Sequence, residues 1–250
     1  MKFKNNILKT LVLENREELG KTAAIAAATC IQQLLQTKDY VNLIFAAAPS
    51  QNEFLSNLLK LSIDWGRINA FHMDEYVGLL EDAPQGFGNF LRRNIFDQVH
   101  FKSVHFINGQ AVSAQEECAR YTKLLQQFPP DMVLMGIGEN THIAFNDPHV
   151  ADFQDKEIVK VVDLDSACRQ QQVNDGCFSS LVEVPLYAIT LTVPILVSAP
   201  HIFCMVPGEK KSEAVLHTLK SEISEKYPST ILRNHPNVNL FLDKDSAKLL

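Results

Sequence analysis

Two neighbouring carboxylates, Asp74 and Glu75, come directly after the apolar run Ile68–Met73. A carboxylate held at the end of a buried strand can act as a general base that takes a proton from a bound substrate. A solvated turn explains this stretch equally well when it is taken alone. The assignment therefore depends on whether a second proton-handling group lies elsewhere in the chain.

The stretch GIGENTHIAFNDP, residues 136–148, supplies such a group and also follows an apolar run. Its histidine, His142, is flanked by Asn140 and Asp147. An imidazole titrates near neutrality, and a neighbouring carboxylate or amide can fix its tautomer. Glycines such as Gly138 let the backbone approach a ligand closely. Together with the carboxylate after the earlier strand, this set predicts a site for proton transfer.

Two other interpretations of these residues have weak support. GIGENT resembles the dinucleotide-binding pattern GxGxxG, but Thr141 stands where the third glycine belongs and no clear helix begins there. A metal site would need ligands at a recognisable spacing, such as HExxH. No such spacing links the candidate ligands His72, Asp74, Glu75, His142 and His149. The sequence therefore predicts neither a nucleotide cofactor nor a metal.

Strands and helices alternate along the chain, and these elements must position the candidate residues. Hydrophobic periodicity predicts helices over residues 15–37, 51–61, 87–99, 113–127 and about 210–220, and at the C-terminus. The predicted strands are Val41–Ala48, Ile68–Met73, Val104–Ile107, Met132–Gly136, Ile158–Val162, Ala188–Thr192, Ile202–Val206 and Val238–Leu242. This pattern predicts one α/β domain over residues 1–250, with a mostly parallel sheet covered on both faces. The polar, weakly periodic region 149–185 is expected to form a lid.

Ligands of such sheets bind beyond the carboxyl ends of the strands. Ser50 and Gln51 follow the first predicted strand, and Lys211 follows the strand Ile202–Val206. We expect these three side chains to bind the substrate at the same edge of the sheet as the proton-transfer residues.

Composition excludes several classes of partner. The 250 residues carry a net charge of −6, so no global basic field exists to hold nucleic acid. No run of about 18 apolar residues predicts a membrane span, and Leu8–Leu13 is too short and too interrupted for a secretory signal. The five cysteines form no CxxC pair, which is typical of reduced thiols. We therefore expect a cytoplasmic protein.

Five stretches, in order along nearly the whole chain, resemble the glucosamine-6-phosphate deaminases. The most specific are FHMDEYVGL, close to the family's FNMDEYVGL, and GIGENTHIAFNDP, close to GxGxxGHIAFNEP. Supporting matches are VPLYAITLT (184–192), GEKKSEAV (208–215) and STILRNHPNVNLFLD (229–243). The wider superfamily includes 6-phosphogluconolactonases, in which a His-Thr-Ala-Ser-like continuation follows the shared histidine. His-Ile-Ala-Phe-Asn in this chain is similar to the deaminases instead.

The resemblance implies a three-layer α/β/α sandwich with a Rossmann-like sheet. It also implies aldose–ketose isomerisation of an amino-sugar phosphate with release of ammonia, which takes glucosamine-6-phosphate to fructose-6-phosphate. The family's reaction requires no metal and no organic cofactor. Members of the family are monomers or hexamers, so the resemblance leaves a homo-oligomer open.

The resemblance also assigns roles to individual residues. Asp74 is expected to move a proton between C2 and C1 of the open-chain sugar, and His142 to assist ring opening. Asp147, where many relatives have Glu, is expected to support that histidine, and Asn140 stands where relatives have Asp or Asn. Glu75 is expected to be a nearby acid that either contacts the substrate or supports a residue that does.

The phosphate-holding residues depart from the family pattern. Where relatives have a loop such as TGGTP, this chain has FAAAPSQNEF (45–54), in which only Ser50 and Gln51 are polar before the helix. Gly176 stands where relatives carry a lid arginine, while Lys211 matches the family's phosphate lysine. Two alternatives therefore remain: a lactonase-type hydrolase on the same fold, and a relative that binds sugar phosphates without turnover.

Overall fold

The computed structural model describes residues 8–250. The strands are β1 (Lys9–Leu13), β2 (Val41–Phe45), β3 (Ile68–His72), β4 (Asp74–Tyr76), β5 (Ser103–His105), β6 (Met132–Met135), β7 (Val159–Asp163), β8 (Tyr187–Leu191), β9 (His201–Val206) and β10 (Val238–Asp243). The α-helices are α1 (Arg16–Leu35), α2 (Asn52–Leu58), α3 (Phe87–Leu91), α4 (Ala114–Gln127), α5 (Ser166–Asn174), α6 (Val193–Ser198) and α7 (Ser212–Lys220).

A seven-stranded sheet forms the centre of the fold, in the order β1-β10-β9-β6-β2-β3-β5. Every neighbouring pair in it is parallel. Parallel strands of this kind are buried on both faces and are therefore apolar throughout. VNLIF in β2 and MVLM in β6 are buried at every position. The predicted α/β fold with a mostly parallel sheet is confirmed.

The two faces of this sheet pack into separate hydrophobic clusters because successive side chains point to opposite sides. Leu43 and Phe45 of β2 join one cluster, with the Ala-rich face of α1 and residues of α2. Ile44 joins the other, with residues of α4, α6 and α7. Helices thus cover the sheet on both faces and form three layers.

A second, three-stranded sheet lies beside the first, in the order β4-β8-β7. Both of its strand pairs are antiparallel. Two strands predicted from the sequence, β7 and β8, belong here and not to the parallel sheet. Their apolar character is the same in either place, so hydrophobicity alone does not distinguish the two arrangements.

Some predicted boundaries are wrong. Residues 244–249 form turns, although a helix was expected at the C-terminus. The helix predicted over 87–99 ends at Leu91 and continues as a π-helical turn, Arg92–Phe96. Edge strand β1 was not predicted. Its residues, KTLVL, are mostly exposed and do not alternate between apolar and polar. Within residues 8–250, no helix combines the length and apolarity needed to span a membrane.

The chain changes direction across the parallel sheet between β2 and β6. From β2 it proceeds through β3 to β5 at one edge, and then returns to place β6 on the other side of β2. A crevice opens beyond the carboxyl ends of the strands at such a point, and ligands of open α/β sheets bind there. The loops after β2, β3, β6 and β9 surround this crevice.

Candidate active site

A buried histidine fixes the backbone at Asp74. The Nε2 atom of His72 accepts a hydrogen bond from the amide of Ile107 at 2.9 Å, so the ring proton is on Nδ1. Nδ1 then donates to the carbonyl oxygen of Asp74 at 2.9 Å. Burial lowers the pKa of His72 to about 4, although the bond to Asp74 opposes that shift. His72 is therefore a neutral structural histidine, and both its ring nitrogens are satisfied.

The Asp74 side chain is buried at the start of β4, opposite Thr190 of β8. Among residues 8–250, no side chain or backbone amide donates a hydrogen bond to its carboxylate. Burial raises the pKa of Asp74 well above its ordinary value, and the nearby charge of Glu75 adds to the effect. A carboxylate of raised pKa is a stronger base than an ordinary one, which suits proton abstraction near neutral pH.

Glu75 points away from Asp74, because neighbouring residues of a strand project to opposite faces. Its carboxylate accepts hydrogen bonds from three backbone amides: Tyr76 at 2.9 Å, Phe87 at 3.0 Å and Gly88 at 2.8 Å. It lines a cavity of about 370 Å³ with Arg92, and it does not line the cavity that contains Asp74. Glu75 thus anchors the first turn of α3, away from the other predicted site residues.

The loop after β6 assembles His142, Asp147 and Asn140. Nδ1 of His142 lies 3.0 Å from Oδ1 of Asp147, and the amide of Asn140 donates to the same oxygen at 2.9 Å. Burial alone raises the pKa of Asp147, but the hydrogen bond and charge of His142, with Asn140 and Cys168, bring it below its ordinary value. The imidazole is therefore held against an ionised carboxylate, as the sequence predicted.

Two backbone features give this loop its shape. The ring of His142 lies directly over Gly138, where an added Cβ atom would come within 2.2–2.4 Å of the ring atoms. Thr141 and Ala144 have φ values of 72° and 47°, in the left-handed region that disfavours residues with a side chain. Such strain is typical of functional loops, where the surrounding structure holds it in place.

Strand β8 holds the loop and Asp74 in the same place. The amide of Phe145 donates to Oγ1 of Thr190 at 3.1 Å, and the side chain of Asn146 donates to the carbonyl of Leu191 at 2.8 Å. The amide of Leu191 in turn donates to the carbonyl of Met73, also at 2.8 Å. The loop after β6 and the strand that carries Asp74 are thus fastened to one strand of the second sheet.

These residues line one small cavity of about 60 Å³ at the crevice between β2 and β6. Asp74, Gly138 and His142 lie on one side, and Ser50, Gln51 and Lys211 complete its polar lining. Asp147 and Asn140 stand behind the imidazole. The structure therefore brings together every predicted site residue except Glu75.

Lys211 is the buried cation of this cavity. Its side chain forms no ion pair within the part of the chain that the structure describes, and burial lowers its pKa. The charges of Asp175 and Glu139 oppose that shift without contacting the ammonium group. Beside it, Nε2 of Gln51 lies 3.1 Å from Oγ of Ser50. A buried ammonium group without a partner is suited to binding an anionic group of a ligand.

Helix α5 supplies site residues that the sequence did not predict. Gln171 and Gln172 line the cavity, and Oε1 of Gln171 accepts a hydrogen bond from the amide of Glu139 at 2.8 Å. Cys168 lies on the same helix, and its thiol contacts Asp147. The only sequence signal for this helix was Asp165, an N-cap residue that accepts a hydrogen bond from the amide of Cys168 at 2.6 Å.

Gly138→Ala tests the packing of the imidazole. The backbone of Gly138 is not in the left-handed region, so alanine fits the conformation and only the His142 ring opposes it. We expect the ring to be displaced and the protein to lose about 1–3 kcal/mol of stability from overpacking. Thermal unfolding and the NMR titration of His142 measure both effects. Gly66→Ala, which meets nothing closer than 3.6 Å, is the control and should change neither.

Asp74→Asn and Glu75→Gln should change stability in opposite directions. The folded-state pKa of Asp74 is raised, so the folded protein binds more protons than the unfolded chain, and stability falls as pH rises above about 4. Asparagine removes this cost at neutral pH, and the unfolding temperature should rise by a few degrees. Glutamine at 75 turns an NH₂ group toward backbone donors and should cost about 1–3 kcal/mol. A destabilised Asp74→Asn variant would contradict this account.

Comparison with known proteins agrees with this geometry. Residues 14–241 match the family described as glucosamine-6-phosphate isomerases/6-phosphogluconolactonase. A glucosamine-6-phosphate deaminase from Bacillus cereus (strain B4264) is 31% identical over 242 residues, which cover 97% of this chain and 89% of that protein. A relative of the same description from Bacillus anthracis (strain A0248) has the same identity and coverage.

Solved structures show the same relationship. A protein described as a monomeric glucosamine-6-phosphate deaminase superposes with a TM-score of 0.88 at 29% identity, over 97% of this chain and 100% of that one. A 6-phosphogluconolactonase from Thermotoga maritima shares the fold, with a TM-score of 0.78 at 17% identity over 94% and 99% of the two chains. The resemblance seen in the sequence motifs is confirmed, and the chain belongs to the glucosamine-6-phosphate isomerase/6-phosphogluconolactonase family.

Proposed function

We propose that the protein is an isomerase of the deaminase type, which converts glucosamine-6-phosphate and water to fructose-6-phosphate and ammonium. The observation that carries this proposal is the arrangement of one cavity. It contains a buried carboxylate of raised pKa, an imidazole held by a second carboxylate, and a buried ammonium group. The curated relatives at 31% identity bear the name of this activity.

His142 acts first in this proposal, at the ring of the sugar. An imidazole held against Asp147 can accept or return the proton that moves when the ring opens, since the carboxylate stabilises the charged form. Asn140 donates to Asp147 and, through Oδ1, accepts from the amide of His142 at 3.2 Å. These bonds hold the imidazole in one orientation. Asp147 and Asn140 are thus positioning residues for His142.

Asp74 then performs the isomerisation. Its carboxylate removes the proton from C2 of the open-chain aldehyde while the aldehyde oxygen O1 gains a proton from the substrate's ammonium group, which gives an enolamine. Return of the C2 proton from Asp74 to C1 leaves a protonated imine at C2. Addition of water to that imine releases ammonia and gives the ketone. Burial serves this step, because a carboxylate with a raised pKa takes a carbon-bound proton more readily.

Lys211, Ser50 and Gln51 bind the phosphate in this proposal. The loop 45–54 contributes three alanines to the cavity wall where relatives have glycine and hydroxyl residues. Lys211 therefore provides the main electrostatic contact, and Ser50 and Gln51 provide hydrogen bonds. Glu75 lies outside this cavity, so we assign it the support of α3.

We also propose that, within the region 149–185, helix α5 acts as a lid, while β7 of the same region is held in the second sheet by its pairing with β8. The cavity of about 60 Å³ is far smaller than the roughly 300 Å³ or more that a bound small molecule occupies. Gln171 and Gln172 of α5 fill part of the site. A larger cavity of about 650 Å³, which shares Gln172, Phe87 and Ala48 with the first, leads outward. Displacement of α5 joins the two and admits the sugar.

Ammonium release tests the reaction directly. Glucosamine-6-phosphate should release ammonium, and unphosphorylated glucosamine should release far less, with galactosamine-6-phosphate as a test of specificity at the sugar. Asp74→Asn should lower kcat by about 10²- to 10⁴-fold, the usual contribution of a general base. Asp82→Asn, at an exposed carboxylate, is the matched control and should not change it. Hydrolysis of a sugar lactone without ammonium release would favour the lactonase alternative.

Lys211→Ala tests the phosphate contact separately. A charge-assisted hydrogen bond contributes about 1.5–3 kcal/mol, so KM for the phosphorylated substrate should rise about 10- to 100-fold while kcat changes little. Lys210→Ala is the matched control. Lys210 is the adjacent residue, and its side chain is exposed and donates to the carbonyl of Asn174. Equal KM values for the two variants would place the phosphate elsewhere.

A further inference from the structure

A buried thiol completes a set of metal-ligating atoms behind the imidazole. Cys168 lies in the first turn of α5, almost fully buried, and its thiol contacts the carboxylate of Asp147. One ligand atom from each of His142, Asp147 and Cys168 lies within 4.8 Å of the other two. His142 and Asp147 are 5 positions apart, and Cys168 lies 21 positions beyond Asp147, so no spacing in the sequence indicates that the three meet.

One oxygen of the carboxylate at the centre of this group has no nitrogen or oxygen donor within residues 8–250, and the Cys168 thiol is the weak donor that faces the carboxylate. Asp147 is fully buried, and its Oδ1 atom is occupied by His142 and Asn140. The oxygen without such a donor is Oδ2. A buried carboxylate oxygen with only a weak donor is costly and calls for an explanation. A cation bound between this oxygen and the neighbouring thiol satisfies it.

We propose that His142, Asp147 and Cys168 bind a zinc(II) ion, and that this ion inhibits the enzyme. Imidazole, carboxylate and thiolate are the ligands that zinc takes in proteins, commonly three side chains with a fourth position open. Bonds of about 2.0–2.3 Å place the ligand atoms of a tetrahedral site about 3.3–3.8 Å apart. Nδ1 of His142 and Oδ1 of Asp147 already lie 3.0 Å apart, and the ligand atoms of all three residues lie within 4.8 Å, so adjustments of about 1 Å or less reach this spacing.

Zinc binding displaces protons from the site. The S–H bond of Cys168 breaks, a Zn–S bond forms, and the proton leaves to solvent. The thiolate and carboxylate then balance the charge of the ion. Because a zinc-bound thiolate must be deprotonated, zinc competes with the proton, and binding should strengthen as pH rises.

Inhibition follows from the loss of the carboxylate–imidazole pair. Asp147 and the imidazole bind the ion and no longer hold one another, and His142 loses the lone pair or proton with which it serves ring opening. This consequence rests on the proposed function. Zinc binding itself requires only the three side chains and is measured without substrate.

A second group of ligand atoms shares Asp147 but is a weaker candidate. Asp147, His149 and Asp165 also lie within 4.8 Å of one another. This group has no thiol, and His149 is exposed and lies 3.1 Å from Asp163. Asp165 is already engaged as the N-cap of α5. The thiolate of Cys168 therefore decides which group binds zinc, and His149 provides a control.

Metal titration of the purified full chain tests the site. Cobalt(II) should bind one equivalent with a near-ultraviolet thiolate-to-cobalt absorption, and zinc should displace it in competition with a chromophoric chelator. Cys168→Ser should abolish the absorption and weaken zinc binding by at least about 10-fold, since loss of even an outer-shell partner has that effect. Cys177→Ser, nine residues further on, and His149→Ala should retain both. Cys168→Ala, with circular dichroism, separates loss of a ligand from misfolding.

The ammonium assay tests the inhibitory role. Zinc should inhibit the wild-type protein, a chelator should restore the rate, and Cys168→Ser should keep its own metal-free rate at the same zinc concentration. Unchanged zinc binding in folded Cys168→Ser, or loss of binding in His149→Ala, would overturn the assignment. Zinc bound without inhibition would refute the inhibitory role alone. A protein that binds cobalt through Cys168 but releases no ammonium would leave the site intact and contradict only the proposed reaction.

Discussion

The pairing of β8 with β4 holds the site together. Asp74 lies at the start of β4, directly opposite Thr190 of β8. The same strand binds the loop after β6 through the Thr190 hydroxyl and the Leu191 carbonyl. Without β8, the carboxylate and the imidazole would be carried by two separate loops at the ends of two parallel strands. With β8, the carboxylate and the imidazole are both fixed relative to one antiparallel ladder. Proton transfer requires groups that are held in place with this precision.

The site combines several features that each reduce stability. Among residues 8–250, no donor reaches the buried carboxylate of Asp74 and no carboxylate pairs with the buried ammonium group of Lys211, while Thr141 has a left-handed backbone. Each costs free energy in the unliganded protein, because a buried charge loses its hydration and a side chain crowds a left-handed backbone. The hydrophobic clusters on both faces of the sheet offset these costs. A substrate that brings a phosphate and an amine supplies partners that the protein itself withholds.

Asp74, His142, Asp147 and Lys211 could be identified from the sequence because they follow strands. A parallel sheet gathers the residues after its strands at one edge, so position along the chain predicts position in space. Glu75 could not be placed this way, since one step along a strand reverses the direction of the side chain. Cys168, Gln171 and Gln172 were missed for a different reason. They lie on a short polar helix whose position over the crevice depends on tertiary packing and leaves no periodic signal. The second sheet was missed because buried strands have the same composition in parallel and antiparallel sheets.

The end of the cavity that contains Lys211 differs in composition from a glycine-rich phosphate loop. A glycine-rich loop binds phosphate with several backbone amides, each contributing a partial charge. Here three alanines line the wall in place of such a loop. Lys211 lines the same cavity and is buried, with no carboxylate in ion-pair contact within residues 8–250. Low polarity around a full charge strengthens its attraction for an anion, because less water screens it. The same burial lowers the pKa of Lys211, because it removes water from the charged form. A phosphate bound at this end of the cavity would supply the ion-pair partner that Lys211 does not have among residues 8–250.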